Sequence, residues 1–205
     1  MTCPNCNTII PDNNIYCNNC GIKLNPSEID NWVNVNIDLD GLIVNANQLT
    51  WGKCKILGVE AYKNGNFYEA IEYFGEAFKF EIEDAKEISN IYNELGICYG
   101  QIEDYKKSLI YIDLAISANA ENFIAIENRI GVKMKLGNEK GAIVDISILF
   151  ENGKMVPKMW HTLGIALENI KQYENARQAY ECAINEGYLL AAKDLEDILI
   201  KIDKL

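Results

Sequence analysis

Residues 160–183 read WHTLGIALENIKQYENARQAYECA and contain a spaced signature that decides the fold. In this stretch Leu163-Gly164 is followed by Ala176, by Tyr180 four residues later, and then by Ala183. The same order of bulky, small, small and large residues recurs three times upstream. The earlier copies are Leu57-Gly58 with Ala70, Phe74 and Ala77, Leu95-Gly96 with Ser108, Ile112 and Ala115, and Ile130-Gly131 with Ala142, Ile146 and Leu149.

The distance between the copies indicates the architecture. Their glycines lie 38, 35 and 33 residues apart, which brackets the period of a helix–turn–helix repeat. Such a repeat cannot bury its apolar face alone, so neighbouring repeats stack into a solenoid with an extended concave face. After Gly187, an amphipathic helix with Leu195, Ile198, Leu199 and Ile202 on one side is expected to cap the end.

The spacing and residue types resemble those of tetratricopeptide repeats, and the last copy fits the pattern best. The third copy departs from it, because Glu127 and Met134 stand at bulky and aromatic positions and its turn is one residue shorter. Extra residues near Glu83–Glu87 predict a lengthened helix or loop between the first two repeats. The resemblance implies a mainly α fold over residues 50–205, a right-handed solenoid of about four helix pairs with a C-terminal capping helix.

In this family the first helix of each repeat lines a concave groove that binds a partner protein or peptide. The Lys, Asn and aliphatic residues at these positions suit the carbonyls, carboxylates and apolar side chains of a bound segment. Some members bind a partner's C-terminal carboxylate with a clamp of charged and amide residues. In this chain only Lys55 and Arg129 match clamp positions. The implied groove residues are Lys55, Val59, Tyr62, Lys63, Asn90, Asn93, Ile97, Gln101, Asn128, Val132, Lys135, Lys158, His161, Ile165 and Glu168.

Residues 1–25 contain two Cys-x-x-Cys pairs, Cys3 with Cys6 and Cys17 with Cys20. Four thiolates in so short a segment suit one tetrahedral Zn²⁺ with all positions closed, so the metal would be structural. The Cys-Pro-x-Cys and Cys-x-x-Cys-Gly motifs resemble the short zinc ribbons at the N-terminus of many prokaryotic proteins. A rubredoxin-type iron site and a disulfide or redox pair remain alternatives.

Between residues 26 and 49 the hydrophobic pattern changes to a period of two. An Asp40-Gly41 pair between two alternating runs predicts a β-hairpin. An isolated hairpin is marginal in water, so it would pack on the first repeat helix, extend the head or pair with a partner strand. The other interpretation is an ordered linker. The alternating aliphatic residues are Val33, Val35, Ile37, Leu39, Leu42, Val44 and Ala46.

The net charge of −11 restricts the kinds of partner. Residues 1–50 contain five acidic residues and one basic residue, and residues 51–205 contain 25 acidic and 18 basic residues. Such a surface repels phosphate, which argues against nucleic acid and anionic membranes as partners. Without an apolar run of 18 residues or a signal-like N-terminus, a cytoplasmic protein is expected, where paired cysteines bind metal in preference to forming disulfides.

The sequence contains no recognisable catalytic motif. His161 is the single histidine and no nucleophile adjoins it, and no phosphate-binding loop, dinucleotide fingerprint or zinc-protease motif occurs. Cys54, Cys98 and Cys182 lie in repeat helices without a basic or catalytic neighbour that would activate them, which favours a packing role.

We therefore predict a non-enzymatic scaffold or assembly factor that binds a partner protein or peptide in the groove, with the zinc head as a second contact. One alternative is a ribosome- or nucleoprotein-associated factor whose zinc ribbon touches RNA. A zinc-handling or redox protein is a third hypothesis.

Overall fold

The computed structural model describes residues 49–204, which form nine α-helices, one short 3₁₀ helix and no strand. None of these helices has both the length and the apolar composition of a membrane-spanning segment. The predicted zinc site and hairpin lie outside the described residues. The helices are α1 (Trp51–Lys63), α2 (Phe67–Ala77), α3 (Ala85–Gln101), α4 (Tyr105–Ala118), α5 (Phe123–Lys135), α6 (Glu139–Glu151), α7 (Pro157–Asn169), α8 (Tyr173–Asn185) and α9 (Ala192–Ile202), with the 3₁₀ helix at Leu189–Ala191.

Short polar side chains start five of the helices. Thr50, Asp84, Asp104, Asn122 and Asn138 each accept a hydrogen bond from a backbone N–H in the first turn. Each bond satisfies an amide that has no partner inside the helix and contributes about 1 kcal/mol. These caps determine where the helices begin.

Successive helices pack as antiparallel pairs. The pairs are α1–α2, α3–α4, α5–α6 and α7–α8, and each pair packs on the next through its second helix. The last helix, α9, packs on α8 and buries Ile198 completely, which covers the exposed end of the last repeat. The predicted helical-repeat solenoid with a C-terminal capping helix is therefore confirmed.

Three of the four signature glycines allow the helices of a repeat to approach closely. A Cβ atom placed on any of them would lie less than 3.0 Å from a fully buried side chain of the second helix. Protein interiors are too densely packed to absorb such an overlap. The contacts join Gly58 to Phe74, Gly96 to Ile112 and Gly164 to Tyr180.

The third repeat packs differently from the prediction. A Cβ atom on Gly131 would meet no atom within 4 Å, and this glycine is exposed. The residue at the helix contact is Ile130, which is 1% exposed and precedes Ala142 by the twelve residues that separate these positions in the other repeats. Gly131, which aligns with Gly58, Gly96 and Gly164 in the recurring signature, therefore lies one residue beyond the helix contact.

A buried ion network joins the helices of the third repeat. Asp145 on α6 is 1% exposed and accepts hydrogen bonds from Arg129 Nε (2.9 Å) and Nη2 (2.7 Å). It also accepts one from Lys133 Nζ (2.7 Å), while Arg129 Nη1 donates to Asp113 of α4 (2.9 Å). Bidentate charged hydrogen bonds fix both distance and direction. They stabilise a helix pair that has Ile130, and no glycine, opposite Ala142 at its contact.

The connection between the first two repeats is longer than the other inter-repeat connections, as predicted. Residues 78–84 link α2 to α3, and α3 has 17 residues, more than any other described helix. Phe78 in this connection stacks on Tyr92 of α3, with ring centroids 4.4 Å apart. The extra length is shared between a loop and an additional helical turn.

Alanine substitutions at Gly164 and Gly131 should have opposite effects on stability. Gly164→Ala forces a methyl group against the buried Tyr180 ring, so we expect the free energy of unfolding to fall by about 1–3 kcal/mol. Gly131→Ala meets open space on a helix and should raise it by up to about 1 kcal/mol. Urea unfolding followed by circular dichroism measures both values, and changes of the same sign would contradict this packing.

Candidate functional site

A groove on the face formed by the first helices of the last three repeats is the candidate binding site. Helices α3, α5 and α7 line it together with residues of α4, and its volume is about 330 Å³. This volume is at the lower end of the range for ligand sites, about 300–1,000 Å³. The structure brings six of the predicted groove residues together here, namely Ile97, Gln101, Asn128, Val132, Lys135 and Lys158.

The groove also contains residues that the sequence analysis did not predict. Tyr105 of α4 and Met159 and Thr162 of α7 line it, and Gly131 leaves open space along α5. Tyr105 was missed because the family pattern assigns the groove to first helices only. The signal for Gly131 was the departure of the third repeat from the pattern, beginning at Glu127.

Two ammonium groups in the groove have no partner among residues 49–204. Lys135 is the last residue of α5 and Lys158 the second residue of α7, and neither side chain makes a hydrogen bond or ion pair there. Among the described residues, Glu127 is the single carboxylate that lines the groove. The groove is therefore locally positive on a protein with a net charge of −11.

Amide side chains tie the first helices of successive repeats together. Asn128 Nδ2 donates to Asn93 Oδ1 (2.9 Å), which links α5 to α3. Gln101 Nε2 donates to Tyr62 Oη (3.3 Å), which links α3 to α1. Each of these amides uses one N–H in such a bond, and the two lysines are the charged donors that line the groove without a partner among the described residues.

Both predicted counterparts of the carboxylate clamp are occupied. Lys55 Nζ lies 2.5 Å from Glu87 Oε2, in an ion pair between α1 and α3. Arg129 is only 16% exposed and is engaged by Asp145 and Asp113. Neither side chain is free to bind a partner's terminal carboxylate, so the described part of the chain does not contain the clamp.

The capping helix covers two predicted groove residues of the last repeat. His161 Nε2 lies 2.8 Å from Asp194 Oδ2 of α9, and its side chain is 16% exposed. Glu168 accepts hydrogen bonds from Tyr180 Oη (2.8 Å) and from Lys201 of α9. Burial and the bond to Glu168 raise the pKa of Tyr180, so its hydroxyl stays a donor. These residues attach α9 to the last repeat.

The other predicted residues lie apart from the groove. Val59 and Ile165 pack against the apolar cores of the first and last repeats, and Lys63 is exposed at the end of α1. Asn90 lines a separate cleft at the edge of the solenoid. The family pattern thus assigns groove positions to each first helix, whereas the structure groups only those of α3, α5 and α7 in one groove.

Two of the three described cysteines lie in the apolar core of the first repeats. Burial raises the pKa of Cys54 and raises that of Cys98 to about 12. Both thiols are completely buried and stay protonated at neutral pH, which agrees with the predicted packing role. Within residues 49–204, no group of three or more His, Cys, Asp and Glu side chains is placed to bind a metal ion.

Family models identify both parts of the chain. Residues 89–122 and 157–185 match a tetratricopeptide repeat model. The chain contains tetratricopeptide repeats. The two matches cover most of α3 with α4, and α7 with α8, so the second and fourth tetratricopeptide repeats lie nearest to the family pattern. Residues 2–24 match a zinc-ribbon domain model, which confirms the second predicted resemblance.

Solved structures with the same fold include several tetratricopeptide repeat proteins. MamA 41-end from Desulfovibrio magneticus RS-1 has 17% sequence identity and a TM-score of 0.68, over 75% of this chain and 85% of that chain. The first tetratricopeptide repeat domain of Spaghetti (RPAP3), bound to the HSP90 peptide SRMEEVD, has 18% identity and a TM-score of 0.55, over 60% and 99%. Cut9 in the APC/C hetero-tetramer Cut9-Hcn1 has 16% identity and a TM-score of 0.63, over 74% and 30%. At these identities the likeness shows the fold.

A comparison of the sequence with curated proteins gave no match.

Glu94→Gln should stabilise the protein at neutral pH. Burial raises the pKa of Glu94 on α3, against the opposing effect of the Lys55 charge. The folded chain therefore binds this proton more tightly than the unfolded chain, so stability falls as pH rises from the ordinary value of 4.5 through the folded pKa. Because glutamine does not ionise, the variant does not lose this stability as the pH rises.

We expect Glu94→Gln to unfold at higher urea concentration than the unmodified protein at pH 7, and at the same concentration near pH 3, where the glutamate is protonated in both states. A variant that is less stable at pH 7 would instead mean that attraction to Lys55 exceeds the cost of burying the carboxylate.

Proposed function

We propose that this protein is a non-catalytic interaction scaffold or assembly factor that binds an extended segment of a partner protein in the groove. The observation that supports this most directly is the pair of unpartnered ammonium groups, Lys135 and Lys158, beside the aliphatic side chains of Ile97 and Val132. A free lysine donates to carboxylates and to backbone carbonyls, and the aliphatic residues supply apolar contact.

The dimensions of the groove limit the length of the bound segment. From Glu127 to Lys135 the groove follows α5 for eight residues, about 12 Å at the helical rise. An extended chain covers this distance with about four residues. The ligand is therefore a short motif containing at least one Asp or Glu and an aliphatic residue, not a folded domain inserted into the groove.

The comparison with the RPAP3 domain supports a peptide ligand, because that fold neighbour was solved with the peptide SRMEEVD. The peptide chemistry proposed here is nevertheless different. In this chain Lys55 and Arg129 are already paired, so recognition of a terminal carboxylate by a clamp has no counterpart. A motif inside a chain, with an acidic and an aliphatic residue, can pair with the groove lysines and contact the aliphatic residues without a free C-terminus.

Selection from a displayed peptide library on the full chain tests the proposed ligand. We expect the selected peptides to share an acidic and an aliphatic residue. Lys135→Glu combined with Lys158→Glu should weaken their binding on the order of 100-fold, because two charged hydrogen bonds of about 1.5 kcal/mol each are lost. Isothermal titration calorimetry measures the change.

The chain offers a matched control for charge. Lys106→Glu with Lys140→Glu changes the net charge equally, and these exposed lysines lie in the first turns of α4 and α6, outside the groove. Gly131→Leu provides a neutral test, since its Cβ atom would meet no atom within 4 Å and its side chain adds bulk to the groove. Binding in the groove would be contradicted if the two groove variants, Lys135→Glu with Lys158→Glu and Gly131→Leu, bound the selected peptides as tightly as the control variant does.

We also infer that Cys3, Cys6, Cys17 and Cys20 bind one structural Zn²⁺. Two pairs of soft thiolate donors with this spacing form the closed set that tetrahedral zinc prefers, and no position remains for a substrate. The zinc-ribbon match over residues 2–24 supports the same assignment. The folded head would then act as a second contact for the partner protein.

Metal analysis of the full chain should find about one zinc per molecule, because four cysteines complete one site. Cys17→Ser should lose this zinc, whereas Cys182→Ser, which removes a partly exposed cysteine of α8, should keep it. Iron in place of zinc, or equal zinc contents in the two variants, would contradict the assignment.

A further inference from the structure

A second and larger cleft lies at the edge of the solenoid where the first helices of the repeats begin. Its volume is about 600 Å³. Its walls are the N-terminal parts of α3 and α5 and the connections at residues 119–122 and 153–156. Except for Glu127, it shares no lining residue with the groove described above, so it is a separate surface.

Buried hydrogen bonds make this cleft rigid. Asn122 Nδ2 donates to Ser89 Oγ (2.9 Å), and Ser89 Oγ donates to the Ala115 carbonyl (2.7 Å). Asn122 Oδ1 accepts from the Ala125 N–H (3.1 Å). Both polar side chains are buried, and a satisfied buried network of this kind holds its elements in one arrangement. The cleft is therefore formed before anything binds to it.

The cleft combines exposed aliphatic side chains with two lysines and two glutamates. Ile124 of α5 is 64% exposed and Val156 before α7 is 41% exposed, and both line it. Lys154 lies 5.4 Å from the centre of the Phe123 ring, and Lys86 lines the cleft at the start of α3. The two aliphatic side chains on one concave surface offer apolar contact to a segment that lies in the cleft.

The described chain begins beside this cleft. The contacts of Lys55 with Glu87 and of Tyr62 with Gln101 follow the same order along both helices, so α1 and α3 run parallel. The N-terminus of α1 therefore lies at the same edge as the cleft, about 10 Å from α3 at the usual helix spacing. The chain that precedes α1 is tethered next to the cleft.

We propose that part of residues 32–46 of the same chain lies in this cleft and covers Ile124 and Val156. These residues have the alternating aliphatic pattern of a strand or hairpin, which needs a partner surface to be stable in water. The nine residues that follow Asp40, up to Leu49, span about 30 Å when extended, enough to cross three helix spacings. Tethering supplies a millimolar effective concentration, so a weak contact suffices.

The cleft offers a lysine on two of its walls to the acidic segment, while its two carboxylates, Glu121 and Glu127, balance the lysine charges. Residues 26–48 contain four acidic residues and no basic residue. Asp38 and Asp40, next to the predicted turn, can pair with Lys86 and Lys154 on the cleft walls. The two carboxylates of the cleft can accept hydrogen bonds from backbone N–H groups of the segment.

Carbodiimide cross-linking of the full chain tests this inference, because it joins carboxylates to lysines in direct contact. Peptide mass spectrometry should find Asp38 or Asp40 linked to Lys86 or Lys154, at a yield independent of protein concentration. Ile124→Ser with Val156→Ser keeps every reacting group and removes only exposed methyl groups. We expect it to lower the yield about tenfold through lost apolar contact.

Lys106 and Lys140 are internal controls, since both are exposed in the first turns of second helices, at the opposite edge. The proposal is overturned if the acidic segment links to them as often as to Lys86 and Lys154, or if the double serine variant cross-links normally. Links that form only between isotope-labelled and unlabelled chains would also overturn it, because a second copy would then be the occupant. No groove lysine takes part, so these results are independent of the proposed function.

Discussion

The solenoid depends on the close approach of the two helices within a repeat. Where Gly58 or Gly164 meets a buried aromatic ring, the missing side chain lets the ring fill the space between the helices completely. A ring held on all sides fixes both the spacing and the angle of the pair. Each repeat thus presents a defined surface to the next, and the first helices are left on one continuous face.

The third repeat reaches a similar result through charge, and this has a functional consequence. Asp145, buried between α5 and α6, is held by Arg129 and Lys133, while Ile130 takes the contact position that glycine has elsewhere. The network removes Arg129 from the set of residues that could bind a ligand. It also releases Gly131 from packing, and the space beside Gly131 becomes part of the groove. The least regular repeat is therefore the one that leaves open space along the candidate groove.

The helical-repeat fold could be predicted because small residues at helix contacts recur at a fixed period and record the packing directly. The open part of the groove could not, because it depends on which charged side chains find partners across repeats. Lys55 and Lys135 look equivalent in the sequence, yet only Lys55 meets a carboxylate, Glu87, on the next helix. His161 likewise occupies a predicted groove position, but in the structure it is paired with Asp194 of α9. Such pairings follow from three-dimensional neighbours that no local pattern contains.

Helix α5 connects the two proposed binding surfaces. Its residue Glu127 lines both the groove and the edge cleft, and buried or inter-repeat hydrogen bonds through Asn122 and Asn128 tie this helix to α3. Because α5 is held rigidly, communication between the surfaces would be electrostatic, not a movement of the helix. An acidic segment in the cleft and an acidic peptide in the groove would both approach Glu127, and like charges repel in proportion to their proximity. Each occupant would then weaken the binding of the other by the same factor, since coupling between two sites is reciprocal.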